Sequence, residues 1–259
     1  MRLALAALAA ASLLCAQSPV LPERTLRLFN GKNLDGWYTY LRESKYDDPK
    51  RVFTLQGGLL RISGEEWGGI ATKESFRDYH LIVEWKWGGA TWGDRKTRAR
   101  DSGVLVHGAG ADGAHSGCWL ESYEAQIIEG GNGDIILVAP RGVLSLTAEA
   151  RKEPNGQVYY QPGAPAITMT SGRLNWYGRD PKWTDTIDFR GTGDLEKPLG
   201  KWNRLEVICD GDSITNVFNG KVVASARGLT RSEGKIQIQS EGAEILIRKV
   251  ELRPLKKRS

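Results

Sequence analysis

The sequence predicts an all-β sandwich or barrel, and three observations carry that expectation. Short apolar runs recur about every 8–15 residues with turn pairs between them. No stretch sustains a helical period. The composition, 31 Gly, 10 Pro and 9 Trp against 2 Met, suits many turns and aromatic-rich strands. With 259 residues and 40% hydrophobic content the chain can bury a full core, and sandwiches of this length form one domain as readily as two. No internal repeat of fixed period is found.

Taken in order, residues 1–16 read as a cleaved export signal: Met1-Arg2 gives one positive charge, an apolar run follows, and small residues precede a cut after Ala16. The run is broken by Gln17, Ser18 and Pro19, short of the roughly 20 apolar residues a membrane span needs. Cys15 invites a lipid anchor, but bulky Leu14 precedes it, so the anchor is the lesser expectation. Residues 17–24 form a linker, 25–255 a single domain and 256–259 a basic tail. That tail supplies part of the net charge of +5. Elsewhere basic and aromatic residues do not interleave on one face, which argues against a nucleic-acid partner.

Within the domain, Leu26 to Phe29 opens a strand that runs into the turn pairs Asn30-Gly31 and Asp35-Gly36 before Trp37. A hairpin is expected at 52–56 and 59–62 around Gly57-Gly58, followed by strands at 70–73 and 79–87. Further on, strands are expected at 202–209, 213–218, 221–226, 235–239 and 244–253, with Asn219-Gly220 turning one hairpin. Between them, 138–200 is the least periodic third; a structureless loop of that length is unusual, so short strands and ordered loops bordering the site are expected.

Polar residues are set most regularly in 101–134. It reads as two strands, 102–107 and 121–129, joined by a Gly-rich loop. Alternation puts Glu124 and Gln126 on one face and Tyr123, Ala125 and Ile127 on the other. Burying two polar groups on one strand without partners is costly, which points to a ligand. In 102–107 the same parity places Gly103, Leu105 and His107 together, with Gly103 leaving room for a ligand. In 79–87 it places Glu84 and Lys86 opposite Leu81, Val83, Trp85 and Trp87, so both are expected to join Glu124 and Gln126, although pairing with each other is an equal reading.

Four blocks, LFNGKNLDGW (28–37), DSGVLVH (101–107), DLEKPLGKWNRLEV with ITNVFNGKVV (194–207 and 214–223) and GKIQIQSEGAEILIRKVEL (234–252), together resemble the 3-keto-disaccharide hydrolase domain family. The resemblance implies a concanavalin A-like jelly roll of two antiparallel sheets, with Trp37 and Trp202 plugging the sandwich and the site on the concave face. Relatives often carry Asn-Ser-Gly and a terminal Arg where this chain has Asp101-Ser102-Gly103 and His107, and Arg-Asn where it has Arg248-Lys249. The implied chemistry is cleavage of glycosides oxidised to a ketone at C3: a base removes the C2 proton, the C1 substituent leaves, and water adds back. That route needs a base, an acid and a group to stabilise the enolate oxygen. Glu124 and His107 are the expected base and acid, Lys86 the expected enolate stabiliser. Glu84, Gln126, Asp101, Asp134 and Trp119 are the expected substrate contacts.

Two other readings stay open. A non-catalytic carbohydrate-binding module would share the fold, with Trp92, Trp119, Trp176 and Trp183 as its aromatics. A two-carboxylate glycosidase would need its acids on one strand or on neighbours; Glu121 and Glu124 have opposite parity and the central Asp of laminarinase-type enzymes is missing. No cofactor is expected. The turn from Glu129 to Asp134 offers oxygen ligands for Ca²⁺ but lacks EF-hand spacing, so a plain turn is favoured. His80, His107 and His115 have no zinc spacing, and there is no phosphate loop, dinucleotide fingerprint or nucleophile elbow. Cys118 and Cys209 could be bonded or free, and free thiols are at least as well supported.

Overall fold

The computed structural model describes residues 18–256. The expected export signal and the end of the basic tail lie outside the described residues. Two sheets, antiparallel except for the parallel pairing of Val158–Tyr160 with Gly172–Asn175, pack face to face as a jelly-roll sandwich. The first has eight strands and runs, edge to edge, Lys221–Ala226, Ser213–Phe218, Asn203–Asp210, Tyr79–Thr91, Ala243–Pro254, Leu59–Ile62 and Phe53–Gln56, with Leu26–Arg27 paired to Ala243–Pro254. At the centre of the second sheet, of eleven strands, lie Ile135–Val138, Glu121–Ile128, Asp101–Ala109, Glu233–Ser240 and Gly68–Thr72. Helix is confined, among the described residues, to one 3-10 turn, Gly93–Lys96.

Side-chain alternation decides what each sheet buries. Tyr79, Leu81, Val83, Trp85 and Trp87 point inward from the first sheet and meet Val104, Tyr123, Ala125 and Ile127 from the second. Trp85 lies edge-on to Trp87 and stacks on Phe218. Removing such a side chain from water contributes about 1.5–3 kcal/mol each. Trp37 joins the core and donates its indole N–H to the Leu28 carbonyl at 2.7 Å. Trp202 does not plug the sandwich: it lies on the outside of the first sheet beneath Lys86 and Arg248.

The expected hairpins form with the register their turn residues favour. Asn219 and Gly220 both adopt positive φ, 46° and 86°, the requirement of a tight two-residue turn. Residues 138–200 hold the short strands Leu146–Lys152, Val158–Tyr160, Ala166–Met169 and Gly172–Asn175. They extend the second sheet past its centre and wall one side of a cleft. Cys118 and Cys209 are buried and free, and burial pushes their thiols up to about 11 and about 12. No described helix is long and apolar enough to cross a membrane.

One irregularity matters for the site. Between Val106 and Ala109 the Asp101–Ala109 strand slips register against both neighbours, so it carries an extra residue there. His107 sits in that bulge with φ of 54°. A bulge resets the in-out alternation of everything beyond it.

Candidate active site

A cleft of about 1070 Å³ opens on the outer face of the eleven-stranded sheet. That volume is at the upper end of small-molecule sites. Its floor follows from strand pairing: Gly103 stands opposite Gln126 and Leu105 opposite Glu124, while Ile238 pairs with Val104 and brings Gln239 alongside Gly103. Gly103 is required here by close approach. A Cβ at this position would collide with side-chain oxygens of both Glu124 and Gln239, which lie across the strand from either side.

Glu124 is the central group. It is 4% exposed, and its Oε1 has no hydrogen-bond partner. Burial pushes its carboxyl up to about 8, reinforced by the charges of Asp101 and Asp134 and opposed by Arg173. The Asp101 carboxyl is raised to about 6 by burial, against the pull of Arg95 and Arg173. Arg95, presented by the 3-10 turn, bonds Asp101, Glu241 at 3.1 Å and Asp185 at 3.2 Å. Burial raises Glu241 as well, with Asp101 and Glu124 adding to it. Asp101 Oδ1 and Gln239 Oε1 are also buried without partners. Three acceptor oxygens left unpaired in one cleft floor represent a cost that a hydroxyl-rich ligand would offset.

The walls add aromatic and cationic groups. Trp119 stacks on Trp67 and His115 with ring centroids 5.6 and 6.3 Å apart, and its indole donates to the Gly68 carbonyl. Trp183 lies under the Arg179 guanidinium and is fixed by an N–H bond to the Glu129 carbonyl. Arg173, partly exposed, reaches the cleft from Gly172–Asn175 while holding Asp134 at 3.2 Å.

Asp101, Glu124, Gln126 and Trp119 therefore come together as expected. Asp134 does not point into the cleft: it is fully buried beneath it, accepting from the Trp176 amide at 2.7 Å and clamping Arg173 and Arg179. His107 is not at the rim. The bulge turns its ring inward between Tyr79 and Tyr123, with Nδ1 3.0 Å from the Arg231 carbonyl oxygen, and burial lowers it to about 4. Such a histidine stays neutral and cannot serve as base or acid in the cleft.

Glu84 and Lys86 are also elsewhere. Their parity was read correctly, but their strand belongs to the other sheet, so the face they share is the far side of the sandwich. Glu84 pairs with Arg204, Arg248 and Lys249, and Lys86 lies over the Trp202 ring. The turn from Glu129 to Asp134 is not arranged around a cation. Glu129 accepts from Arg100 at 2.6 Å, and Asn132 donates to Glu196, which also receives the Trp87 indole. Among the described residues no group of His, Cys, Asp or Glu converges as a metal site.

Sequence reasoning missed Arg95, Arg173, Gln239 and Glu241. Gln239 stood in plain alternation with Gln237 in 235–239, a signal equal to that of Glu124 and Gln126. The two arginines come from a 3-10 turn and a short strand, where no period marks them.

The fold and the cleft together define the class: a glycosyl hydrolase-like or carbohydrate-binding jelly-roll domain. Two solved structures of a candidate glycosyl hydrolase from Parabacteroides distasonis share the fold. One is 17% identical with a TM-score of 0.53, covering 90% of this chain and 95% of the other. The second is 20% identical with a TM-score of 0.53, covering 90% and 100%. No curated protein sequence matches this chain. The chain belongs to the 3-keto-alpha-glucoside-1,2-lyase-like domain family, whose model matches residues 25–253.

Proposed function

We propose that this protein is an exported hydrolase that cleaves 3-keto-glycosides by elimination and hydration. The observation that carries the reading is the pair Glu124 and Asp101: two carboxyls in one cleft whose surroundings hold them at about 8 and about 6. At neutral pH such a split leaves one group protonated and the other ionised, the division of labour that acid and base require.

In this mechanism Asp101 takes the proton from C2, made acidic by the neighbouring ketone. The electrons move into the C3 carbonyl to form an enolate, and Arg173 offers the nearby positive charge for its oxygen. As the enolate collapses, the C1–O bond breaks and Glu124 gives its proton to the departing oxygen, leaving a 1,2-unsaturated 3-ketone. Water then adds its hydroxyl to C1 and C2 regains a proton, with the two carboxyls exchanging roles. Trp183, only partly buried at the cleft, supplies an aromatic wall for the sugar rings.

The decisive experiment incubates purified protein with a 3-keto-glucoside and with the matching unoxidised glucoside. Release from the ketone substrate alone supports the reading. Binding without turnover of either would favour a carbohydrate-binding module instead, and equal turnover of both would favour a direct two-carboxylate mechanism.

A further inference from the structure

Glu124 and Gln239 belong to different strands, on either side of Asp101–Ala109, yet the Oε1 atoms of both converge on the space directly above the Gly103 Cα. Both oxygens are buried and neither accepts a hydrogen bond, yet the Gln239 side chain lies close enough to bond Glu124 and pull its carboxyl down against the burial. Two acceptor oxygens that close, away from water, repel one another unless a proton lies between them. A protonated Glu124 supplies that proton. The Gln239 backbone is held independently, its carbonyl accepting from the Ser102 hydroxyl at 3.0 Å.

We propose that Gln239 is a positioning residue that serves both charge states of Glu124. Its carbonyl oxygen accepts from the protonated carboxyl; after a half-turn of the amide, its NH₂ donates to the carboxylate. An amide is nearly symmetric in shape, so the exchange needs no repacking. The carboxyl then changes charge without changing place as its proton passes to a departing oxygen. This inference rests on Glu124 as the proton-transfer group of the proposed reaction. Other charged groups facing Glu124 are Asp101 from its own strand's neighbour, Glu241 beyond the end of Glu233–Ser240, Asp134 before Ile135–Val138, and Arg173 from Gly172–Asn175. Of these, the carboxyls could do both only by changing their own charge, and Arg173 can only donate; the Gln239 amide does both while staying neutral.

The test is infrared spectroscopy of the Glu124 carboxyl, assigned by the bands lost in Glu124→Gln. In Gln239→Met, which fills the same space without a polar head, the protonated C=O stretch should move to the unbonded position at low pH, and the carboxylate stretch should move at high pH. The Glu124 titration should rise by on the order of one unit, since the charged form loses the stronger bond. Gly103→Ala, which pushes both side chains aside from below, should move the same bands and guards against a Gln239→Met variant that does not fold. Unmoved bands in both variants overturn the proposal even if turnover falls. Movement of only one band overturns the two-state exchange. Because the bands are read without substrate, failure of the proposed reaction, seen as full turnover by Glu124→Gln, is a separate result.

Discussion

The two outer faces of the sandwich carry the same kinds of residue in the same alternation, and they hold them in opposite charge states. On the eight-stranded sheet, burial pushes Glu84, Glu206 and Glu244 up, but Arg248 with Lys249, Arg204 with His80, and Arg61 outweigh it; all three carboxyls end below their usual value. On the eleven-stranded sheet, burial of Glu124 and Asp101 outweighs the cations near them, and both end above it. A network in which every carboxylate meets a guanidinium is finished. A face where Asp101 Oδ1 remains unpaired and Glu124 holds its proton is built for an incoming group.

Removing the central carboxyl should separate the faces most sharply. Glu124→Gln should lower turnover of a 3-keto-glucoside by about 10²–10⁴-fold while circular dichroism shows an unchanged fold; retained turnover would move the acid elsewhere. The same variant should alter stability in a defined pH window. The folded pKa of about 8 lies above the unfolded carboxyl value, so the contribution of Glu124 is full below about pH 4 and lost as pH rises toward 8. Glu124→Gln should therefore be more stable than the parent above pH 8, by on the order of 5 kcal/mol in a denaturant titration, and match it at pH 4. Glu84 has the opposite sign: its contribution is present at neutral pH and lost as acid protonates it.

The pH dependence of turnover should be bell-shaped, with limbs near about 6 and about 8 belonging to the two carboxyls. Gly103→Ala should cost about 10²-fold in kcat by displacing Glu124 and Gln239. Trp183→Ala should act on KM more than kcat, about tenfold, through loss of an aromatic wall. At the small end, Glu84→Gln and Lys86→Ala should leave turnover unchanged. Glu84→Gln should cost about 1 kcal/mol in a denaturant titration. A loss of turnover in either would break the distinction between the two faces.

The strands, their turns and the inward set were legible because period-two alternation and Asn-Gly pairs act locally. Glu124 and Gln126 were legible for the same reason, whereas Asp101 came with the DSGVLVH block and Trp119 with the loop aromatics. Alternation says which residues share a face of a strand but not which sheet the strand joins; that is why Glu84 and Lys86 read as neighbours of Glu124. His107 failed for a different reason. The extra residue in its strand has no signature in DSGVLVHGA, and one residue of slip reverses the direction of every side chain after it. Arg95 and Arg173 required knowledge of long-range packing.

The free thiols of Cys118 and Cys209 have a consequence for how the described domain is made and kept. No covalent cross-link closes any loop in it, so the unfolded chain keeps its full loop entropy and all stability comes from packing and pairing. With both thiols held at about 11 or above, very little thiolate is present at neutral pH to attack a disulfide. The folded domain should mature equally in a reducing or an oxidising environment, and its melting temperature should not respond to added reductant.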